Sequence, residues 1–198
     1  ISTSILANSI GIKTYRVELS PLKNEKNTVN NTKNFAVEVI DQKTNIALVS
    51  ERLHPDLGTL KKAIESNEQR SVSILKPNEY LGKINDFQLV ILYQPNNSFN
   101  VVLKEVKEEK LNTFIISGST TNWSLLNNVQ NNFKQAITNQ TEDYQPLLNR
   151  NYSTFIVDNL NFDDFPPLKS EFGTFGIDAP NDVLLYKTVN GINTNESM

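Results

Sequence analysis

The sequence predicts an α/β domain built on a mainly parallel sheet, and two observations support this prediction. From residue 44 onward, short apolar runs alternate with segments whose apolar residues recur at helical spacing. Runs of uninterrupted apolar residues are typical of strands buried on both faces, as parallel strands are. Strands that alternate with helices over short connections favour right-handed crossovers, with helices on both faces of the sheet.

Four strands and three helices make up this alternation. The strongest apolar run, Phe87–Tyr93, should be the central strand, with Val90 and Ile91 buried. The predicted strands are Asn45–Ser50, Ser71–Leu75, Phe87–Tyr93 and Phe114–Ile116. The predicted helices are Thr59–Ser66, Ser98–Glu109 and Asn122–Ile137. Further on, strands are expected at Tyr152–Val157 and Val183–Val189, followed by a polar, frayed end at Gly191–Met198.

The first forty residues follow a different pattern. Ile12–Leu19 and Phe35–Ile40 alternate apolar and polar residues, and a long polar segment connects them. This alternation predicts antiparallel strands with one solvated face. Because so few strands are marginal in water, we expect their apolar residues to pack on the α/β domain or to pair with a second chain. These residues are Ile12, Tyr15, Val17, Val37 and Val39.

The composition excludes several functions. The chain has 198 residues, no cysteine, one histidine and a formal net charge of -3. The absence of cysteine excludes disulfides, thiolate metal sites and cysteine nucleophiles. The acidic balance gives no electrostatic basis for binding nucleic-acid phosphates. No apolar run is long enough to cross a bilayer, and the N-terminal residues lack the basic segment of a signal peptide. They indicate a processed or internal boundary.

Two stretches resemble parts of bacterial membrane proteins that carry von Willebrand A or BatA-type modules. Tyr15–Leu22, with Glu25 and Asn30–Asn31, resembles the closing strands of their Ig-like domain, which leads into a class I glutamine amidotransferase-like domain. Asn45–Ile137 and Asp163–Leu168 resemble that second domain. The resemblance implies an incomplete Ig-like segment at residues 1–42. It also implies a flavodoxin-like, amidotransferase-like α/β domain at residues 43–198, and it leaves open whether that domain is complete at its C-terminus.

The resemblance also implies a location and a function. The chain would belong to a longer, membrane-anchored protein of the bacterial cell envelope, with this domain on the periplasmic side. An amidotransferase of this fold has a nucleophilic cysteine near the position of Ser117, and this chain has none. We therefore expect a non-catalytic interaction or scaffolding domain with a protein partner and no cofactor, metal or nucleic acid. Self-association of the fragment through its N-terminal strands is one of the two outcomes that the strand pattern itself leaves open.

An enzymatic alternative depends on Ser117, Ser119 and His54. A serine nucleophile needs a base within hydrogen-bond reach, and His54 follows the first parallel strand at the same sheet edge. A Ser-dependent hydrolase or amidotransferase-like enzyme requires a His54 ring nitrogen within about 3.2 Å of a serine oxygen. In the structural interpretation, Gly118 permits a tight turn, and a hydroxyl from Ser119–Thr121 caps the next helix.

A third alternative is a small-molecule or glycan-binding module at the strand ends. Its candidate surface comprises His54, Asp56, Tyr93, Gln94 and Trp123. Rings of Tyr93 and Trp123 stacked around an open cleft would indicate such a site. In the structural interpretation, Asp56 caps the first helix, His54 is exposed, and Trp123 covers the end of the sheet.

Paired carboxylates at Asp163 and Asp164 form the last candidate. Such a pair, with Asp158 and Glu171 nearby in sequence, could bind a cation or serve in acid–base chemistry. The spacing does not match an EF-hand, and aromatic residues and prolines surround the pair. We therefore expect an ordered structural loop whose aromatic side chains, Phe162 and Phe165, pack inward.

Overall fold

The computed structural model describes residues 4–6, 9–39, 43–158 and 160–198. The chain divides into two compact units, Ile1–Lys43 and Thr44–Met198. The second unit combines a four-stranded parallel sheet with antiparallel sheets and helices. This arrangement confirms the mixed α/β class that the alternation of strands and helices predicted.

The first unit contains an antiparallel pair of strands, as its alternating pattern predicted. Strand β1 (Gly11–Glu18) pairs with β2 (Thr32–Val39) in a register that sets Tyr15 opposite Phe35. Their rings stack with centroids 5.5 Å apart, and aromatic cross-strand pairs of this kind stabilise antiparallel strands. Ile40, which the sequence placed in the second strand, lies outside the described residues. What covers the apolar residues of this pair stays a prediction.

The second unit begins with the parallel sheet. Its strands are β3 (Thr44–Val49), β4 (Arg70–Leu75), β5 (Leu89–Tyr93) and β6 (Thr113–Ile116). They lie in the order β4-β3-β5-β6, and every neighbouring pair is parallel. β5 is therefore an inner strand, and its Val90 and Ile91 are buried, as predicted. Burial on both faces explains why this run is so apolar.

Helices cover both faces of the parallel sheet. They are α1 (Pro55–Ile64), α2 (Pro77–Leu81), α3 (Asn100–Glu108) and α4 (Trp123–Val129). On one face, Leu92 belongs to a buried cluster with Val102 of α3 and Leu126 of α4. On the other face, Ile91 belongs to a cluster with Leu57 of α1. Among the described residues, no helix combines the length and the apolar character that crossing a membrane requires.

The fourth helix is shorter than its apolar spacing predicted, and the prediction is wrong beyond Val129. Gln130 leaves the helical conformation, with φ -138° and ψ 162°. Its side-chain amide donates to two carbonyl oxygens, one inside the helix and one at Phe133. Strand β7 (Phe133–Gln135) begins there, and the Phe133 ring packs 5.7 Å from that of Phe175. Phe133 thus reaches the core from a strand rather than from a helix.

Antiparallel strands fill the rest of the second unit. They are β8 (Thr141–Leu148), β9 (Leu168–Glu171), β10 (Phe175–Ile177), β11 (Leu185–Val189) and β12 (Ile192–Ser197). β10 pairs with β7, and the others form a sheet in the order β12-β11-β8-β9. β11 confirms the strand predicted at residues 183–189. The strand predicted at Tyr152–Val157 is wrong, because that segment lies in the loop between β8 and β9.

The C-terminal residues form a strand rather than the frayed end that their polarity predicted. Asn190 and Gly191 have φ values of 51° and 76°, the left-handed conformations of a tight hairpin turn. The turn folds β12 back along β11 and sets Val189 opposite Ile192. Backbone hydrogen bonds therefore order a segment that has few apolar side chains to bury.

Tyr80 is fully buried on α2, and no described residue hydrogen bonds to its hydroxyl. An unsatisfied buried hydroxyl costs roughly 1–3 kcal/mol, so we expect Tyr80→Phe to raise the free energy of unfolding by about 1 kcal/mol. Burial also raises the pKa of Tyr80. The stability of the wild type should therefore fall as the pH rises above the unfolded pKa of about 10, and that of the variant should fall less.

Urea denaturation of both proteins, at neutral pH and in strongly alkaline buffer, measures these two effects. Lower stability of Tyr80→Phe at neutral pH would contradict the prediction, because it would mean that the hydroxyl is satisfied in the folded protein. Tyr152→Phe is the matched control, since Tyr152 is only half-buried and lies in the loop after β8.

Candidate functional site

The carboxyl ends of the parallel strands surround a cavity of about 190 Å³. Loops at this edge of a parallel sheet carry most ligand-binding and catalytic groups. The lining residues come from the last residue of β5 and from the loops after β3, β5 and β6: Ser50, Glu51, Arg52, Leu53, His54, Tyr93, Gln94, Asn96, Ser119 and Thr120. Four residues singled out from the sequence are among them: His54, Tyr93, Gln94 and Ser119. Asp56, Ser117 and Trp123 are not part of this lining.

A hydrogen-bonded cluster joins α1 to the end of β5. The Tyr93 hydroxyl donates to Asp56 Oδ2 at 2.7 Å and lies 3.2 Å from His54 Nδ1. His54 Nδ1 also accepts from the Asp56 backbone N–H at 3.3 Å, so His54 is the N-cap of α1. The predicted cap, Asp56, is wrong. Pro55 occupies the first helical position, so the cap is the residue before it, His54.

Burial and the Asp56 carboxylate raise the pKa of the Tyr93 hydroxyl, and the Gln94 amide acts in the opposite direction. The hydroxyl therefore stays protonated at neutral pH and donates a hydrogen bond to the Asp56 carboxylate. This arrangement fixes the first turn of α1 against β5. It leaves Nε2 of His54 outside these contacts, while the side chain of His54 is about half exposed.

Gln94 and Gly118 approach each other closely where β5 and β6 end. Gln94 has a left-handed backbone with φ 47°, and its Oε1 accepts from the backbone and hydroxyl of Thr120 at 3.2 and 2.8 Å. A Cβ atom at position 118 would lie 2.5 Å from Gln94 Cδ. Gly118 itself has no positive φ. Gly118 begins the predicted tight turn, in which the Thr121 N–H donates to its carbonyl oxygen at 3.0 Å. Close approach to the Gln94 amide, rather than a special φ, therefore requires glycine here.

Gly118→Ala should lower the free energy of unfolding by about 1–3 kcal/mol, because the added methyl group must displace the Gln94 amide. In a Gln94→Ala background the same substitution should cost clearly less. Urea denaturation of the four proteins measures this coupling, and equal costs in the two backgrounds would contradict the proposed contact. Gly58→Ala on α1 is the control, since no heavy atom lies within 4 Å of its added Cβ.

Ser117 and Ser119 do not form the nucleophile–base pair that the enzymatic alternative requires. Within the described part of the chain, no hydrogen bond joins either serine to His54, whose Nδ1 contacts Tyr93 and Asp56 instead. Ser119 shares the strand-end cavity with His54, whereas Ser117 lines a different cavity. Ser119 therefore lies in the same cavity as His54 but lacks the hydrogen bond to it that would activate a serine nucleophile.

The cap of α4 also differs from its predicted position, by one residue. Asn122 Oδ1 accepts from the Leu125 backbone N–H at 2.9 Å, so the predicted caps at Ser119–Thr121 are wrong. The Thr121 hydroxyl instead accepts from the backbone N–H of Gly118 at 2.8 Å and closes the turn before the helix. Several residues in this segment can cap a helix, and the position of the turn decides among them.

Trp123 packs within the second unit. Its half-buried ring lies edge-on to Phe175 with centroids 6.0 Å apart. Tyr93 lines the strand-end cavity, whereas Trp123 lines two other cavities. The two rings therefore do not stack around one cleft, and the packing role proposed for Trp123 is the one that the structure supports.

The carboxylates of Asp163 and Asp164 are exposed in the loop between β8 and β9. Among the described residues, no group of three or more histidine or carboxylate side chains is arranged to hold a metal ion. Phe162 is half-buried, but Phe165 is 61% exposed, so the expectation that both rings pack inward is wrong for Phe165. Glu171 lies apart from them and accepts from the backbone N–H groups of Thr138 and Asn139.

Sequence reasoning missed a buried lysine on β11. The Lys187 ammonium donates to Glu142 Oε1 at 3.3 Å and lies 5.3 Å from the ring centre of Tyr144. The sequence did contain a sign of this. Leu185, Lys187 and Val189 share one face of a predicted strand, and a charged residue between apolar ones on such a face indicates a buried or paired charge.

No protein-family model, curated protein or solved structure matches this chain. The fold and the site define a class of protein: a mixed α/β domain with a parallel sheet and a small cavity at the strand ends. The Ig-like and amidotransferase-like resemblance stays a prediction, as do the envelope location and the protein partner.

Proposed function

We propose that the chain is a non-catalytic interaction domain of a bacterial cell-envelope protein and binds a protein partner. The observation that carries this proposal is the exposure of large apolar side chains on the loop between β8 and β9. They are Phe155, Ile156, Leu160 and Phe165. Ile156 is 99% exposed. Several large exposed apolar residues on one loop are typical of a surface that binds another protein.

The charges of this loop specify the partner further. Asp158, Asp163 and Asp164 are exposed among the apolar side chains, and Arg150 is the one basic residue in the loop. A partner that covers the loop therefore needs an apolar surface bordered by lysine or arginine. Such complementary charges speed association and exclude unsuitable partners, while the apolar contacts supply most of the affinity.

The strand-end cavity supports a non-catalytic role rather than catalysis or ligand binding. Most of its polar groups are already engaged inside the protein: Tyr93 with Asp56, Gln94 with Thr120, and the Ser50 hydroxyl with a backbone carbonyl. A ligand would have to displace these hydrogen bonds before it gained its own. We regard the cluster as a structural connection between α1, β5 and β6.

The order of the parallel strands supports the finer fold proposal. The first strand of the second unit is internal, the second lies on one side of it, and the third and fourth lie on the other. This is the beginning of the flavodoxin-like order, so we propose a flavodoxin-like, amidotransferase-like domain. The paired strands β1 and β2 suit the closing strands of an Ig-like domain, which links the chain to a membrane-anchored parent.

Site-specific photocrosslinking tests the proposed partner surface. A photoreactive phenylalanine analogue replaces Phe165, and in a control protein it replaces exposed Lys62 on α1. With the envelope fraction of the source bacterium, we expect a defined crosslinked protein from position 165 alone. Excess unlabelled wild type should suppress it, whereas excess Phe155→Ser/Ile156→Ser/Phe165→Ser should not. Equal crosslinking at both positions, or a partner found only in the cytoplasmic fraction, would contradict the proposal.

Hydrolysis assays test the catalytic alternative directly. The purified chain should leave a panel of chromogenic esters and amides unhydrolysed above the background rate. Hydrolysis that disappears in both Ser119→Ala and His54→Ala, but persists in Ser117→Ala, would instead establish a Ser-dependent hydrolase in the strand-end cavity.

A further inference from the structure

A second cavity, of about 270 Å³, lies between the parallel sheet and the antiparallel strands of the second unit. Three aromatic rings line it together: Trp123, Phe133 and Phe175, with Phe175 packed against both of the others. Tyr144 and Lys187 also line the cavity. A concave site with an apolar wall and a few converging polar groups is the usual form of a small-molecule pocket.

The strand register brings the polar groups of this cavity together. Lys187 of β11 lies opposite Pro146 of β8, and residues at every second position of β8 share that face. Glu142, Tyr144 and Lys187 therefore project to the same side of the sheet. The Lys187 side chain is only 5% exposed, so its ammonium is removed from bulk water.

The hydrogen bonds of the cavity are incomplete. A lysine ammonium has three donors, and among the described residues Lys187 uses one of them, to Glu142. Within the same residues, no hydrogen bond is made by the Tyr144 hydroxyl, and burial together with Glu142 raises its pKa, so it stays a donor at neutral pH. Lys187 lines the cavity and Glu142 does not, so the positive end of the pair faces the empty space.

We propose that this cavity binds a small organic carboxylate with a flat apolar body. The apolar body would lie against the rings of Trp123, Phe133 and Phe175, and the carboxylate would accept from the Lys187 ammonium and the Tyr144 hydroxyl. Charge-assisted hydrogen bonds are short and strong in a partly buried site, whereas a neutral amide of the same shape gains only part of them. The cavity size suits a ligand of roughly a dozen heavy atoms. The site is separate from the proposed partner surface and does not depend on it.

Trp123 provides a direct readout, because it is the only tryptophan of the chain and lines the cavity. The full chain is titrated with hydrocinnamate and, separately, with its neutral amide, while tryptophan fluorescence is recorded. We expect saturable binding of the acid with a roughly millimolar dissociation constant, typical of a ligand this small. The amide should bind about tenfold more weakly, since a hydrogen bond to a charged group is the stronger one.

Variants assign the preference to named groups. Lys187→Met/Glu142→Gln removes both charges of the pair, and it should abolish the preference for the acid, because it weakens binding of the acid far more than binding of the amide. Tyr144→Phe, which keeps the ring, should reduce the preference and provides the test if the double variant does not fold. Lys169→Met is the control, because Lys169 is exposed and pairs with Asp143. Absence of saturable binding, equal binding of acid and amide, or a preference that survives these variants would overturn the proposal.

Discussion

Leu92→Ala is expected to lower the free energy of unfolding by about 2–5 kcal/mol. Leu92 has no exposed surface and lies on the inner strand β5, in the cluster that joins the parallel sheet to α3 and α4. The substitution removes three buried carbon atoms and leaves a cavity, because strands hydrogen-bonded on both sides cannot move inward to fill it. Urea denaturation followed by the fluorescence of Trp123, which lies in the same unit, measures the loss.

Leu53→Ala is the matched control for this prediction. It is the same chemical change at a side chain that is 90% exposed, so it should alter stability by less than about 0.5 kcal/mol. A Leu92→Ala protein as stable as Leu53→Ala would show that β5 is not the centre of the folded unit. That result would contradict the parallel sheet as the core of this domain.

Lys187→Met is expected to cost about 3–5 kcal/mol, because it leaves the Glu142 carboxylate partly buried without its partner. The side chains of Lys187 and Glu142 are only 5% and 17% exposed. Lys187→Met/Glu142→Gln should recover most of that loss, since a neutral pair of similar size carries no uncompensated charge. The measurement is again urea denaturation, with all proteins compared at one pH and salt concentration.

The exposed pair formed by Lys169 and Asp143 is the control for this cycle. It lies on β9 and β8 with a separation of 3.8 Å, and both side chains are 62% exposed. Lys169→Met should therefore change stability by no more than about 1 kcal/mol. A cost for Lys187→Met as small as this would mean that water reaches the Glu142 carboxylate in the folded protein.

The candidate site was predictable to the extent that it depends on sheet topology. Because parallel strands end at one edge, the sequence alone placed His54, Tyr93, Gln94 and Ser119 near one another. The specific contacts were not predictable in this way. That Tyr93 donates to Asp56, and that His54 rather than Asp56 caps α1, depends on side-chain geometry within a few ångströms.

The sequence did not predict β8, and there is a physical reason for this. It contains Pro146, which has no N–H to donate and normally argues against a central strand. In the structure, pairing with β9 ends at Tyr144, so Pro146 has only β11 as a neighbour, opposite Lys187. Proline is tolerated there because β8 is an edge strand at Pro146. Its edge position depends on how distant segments pair, so the sequence alone does not show it.

The sequence by itself determined the parallel sheet, its inner strand β5 and three of the four helices that cover it, because burial leaves a local apolar signal; the short helix α2 was not predicted. The tertiary structure alone decided where α4 ends, that β7 and β12 are strands, and that Glu142 is the partner of Lys187. Those outcomes depend on partners far away in the chain. Phe133 packs on Phe175, β12 pairs with β11, and Lys187 reaches Glu142 across the sheet, and none of these partners is encoded in the neighbouring residues.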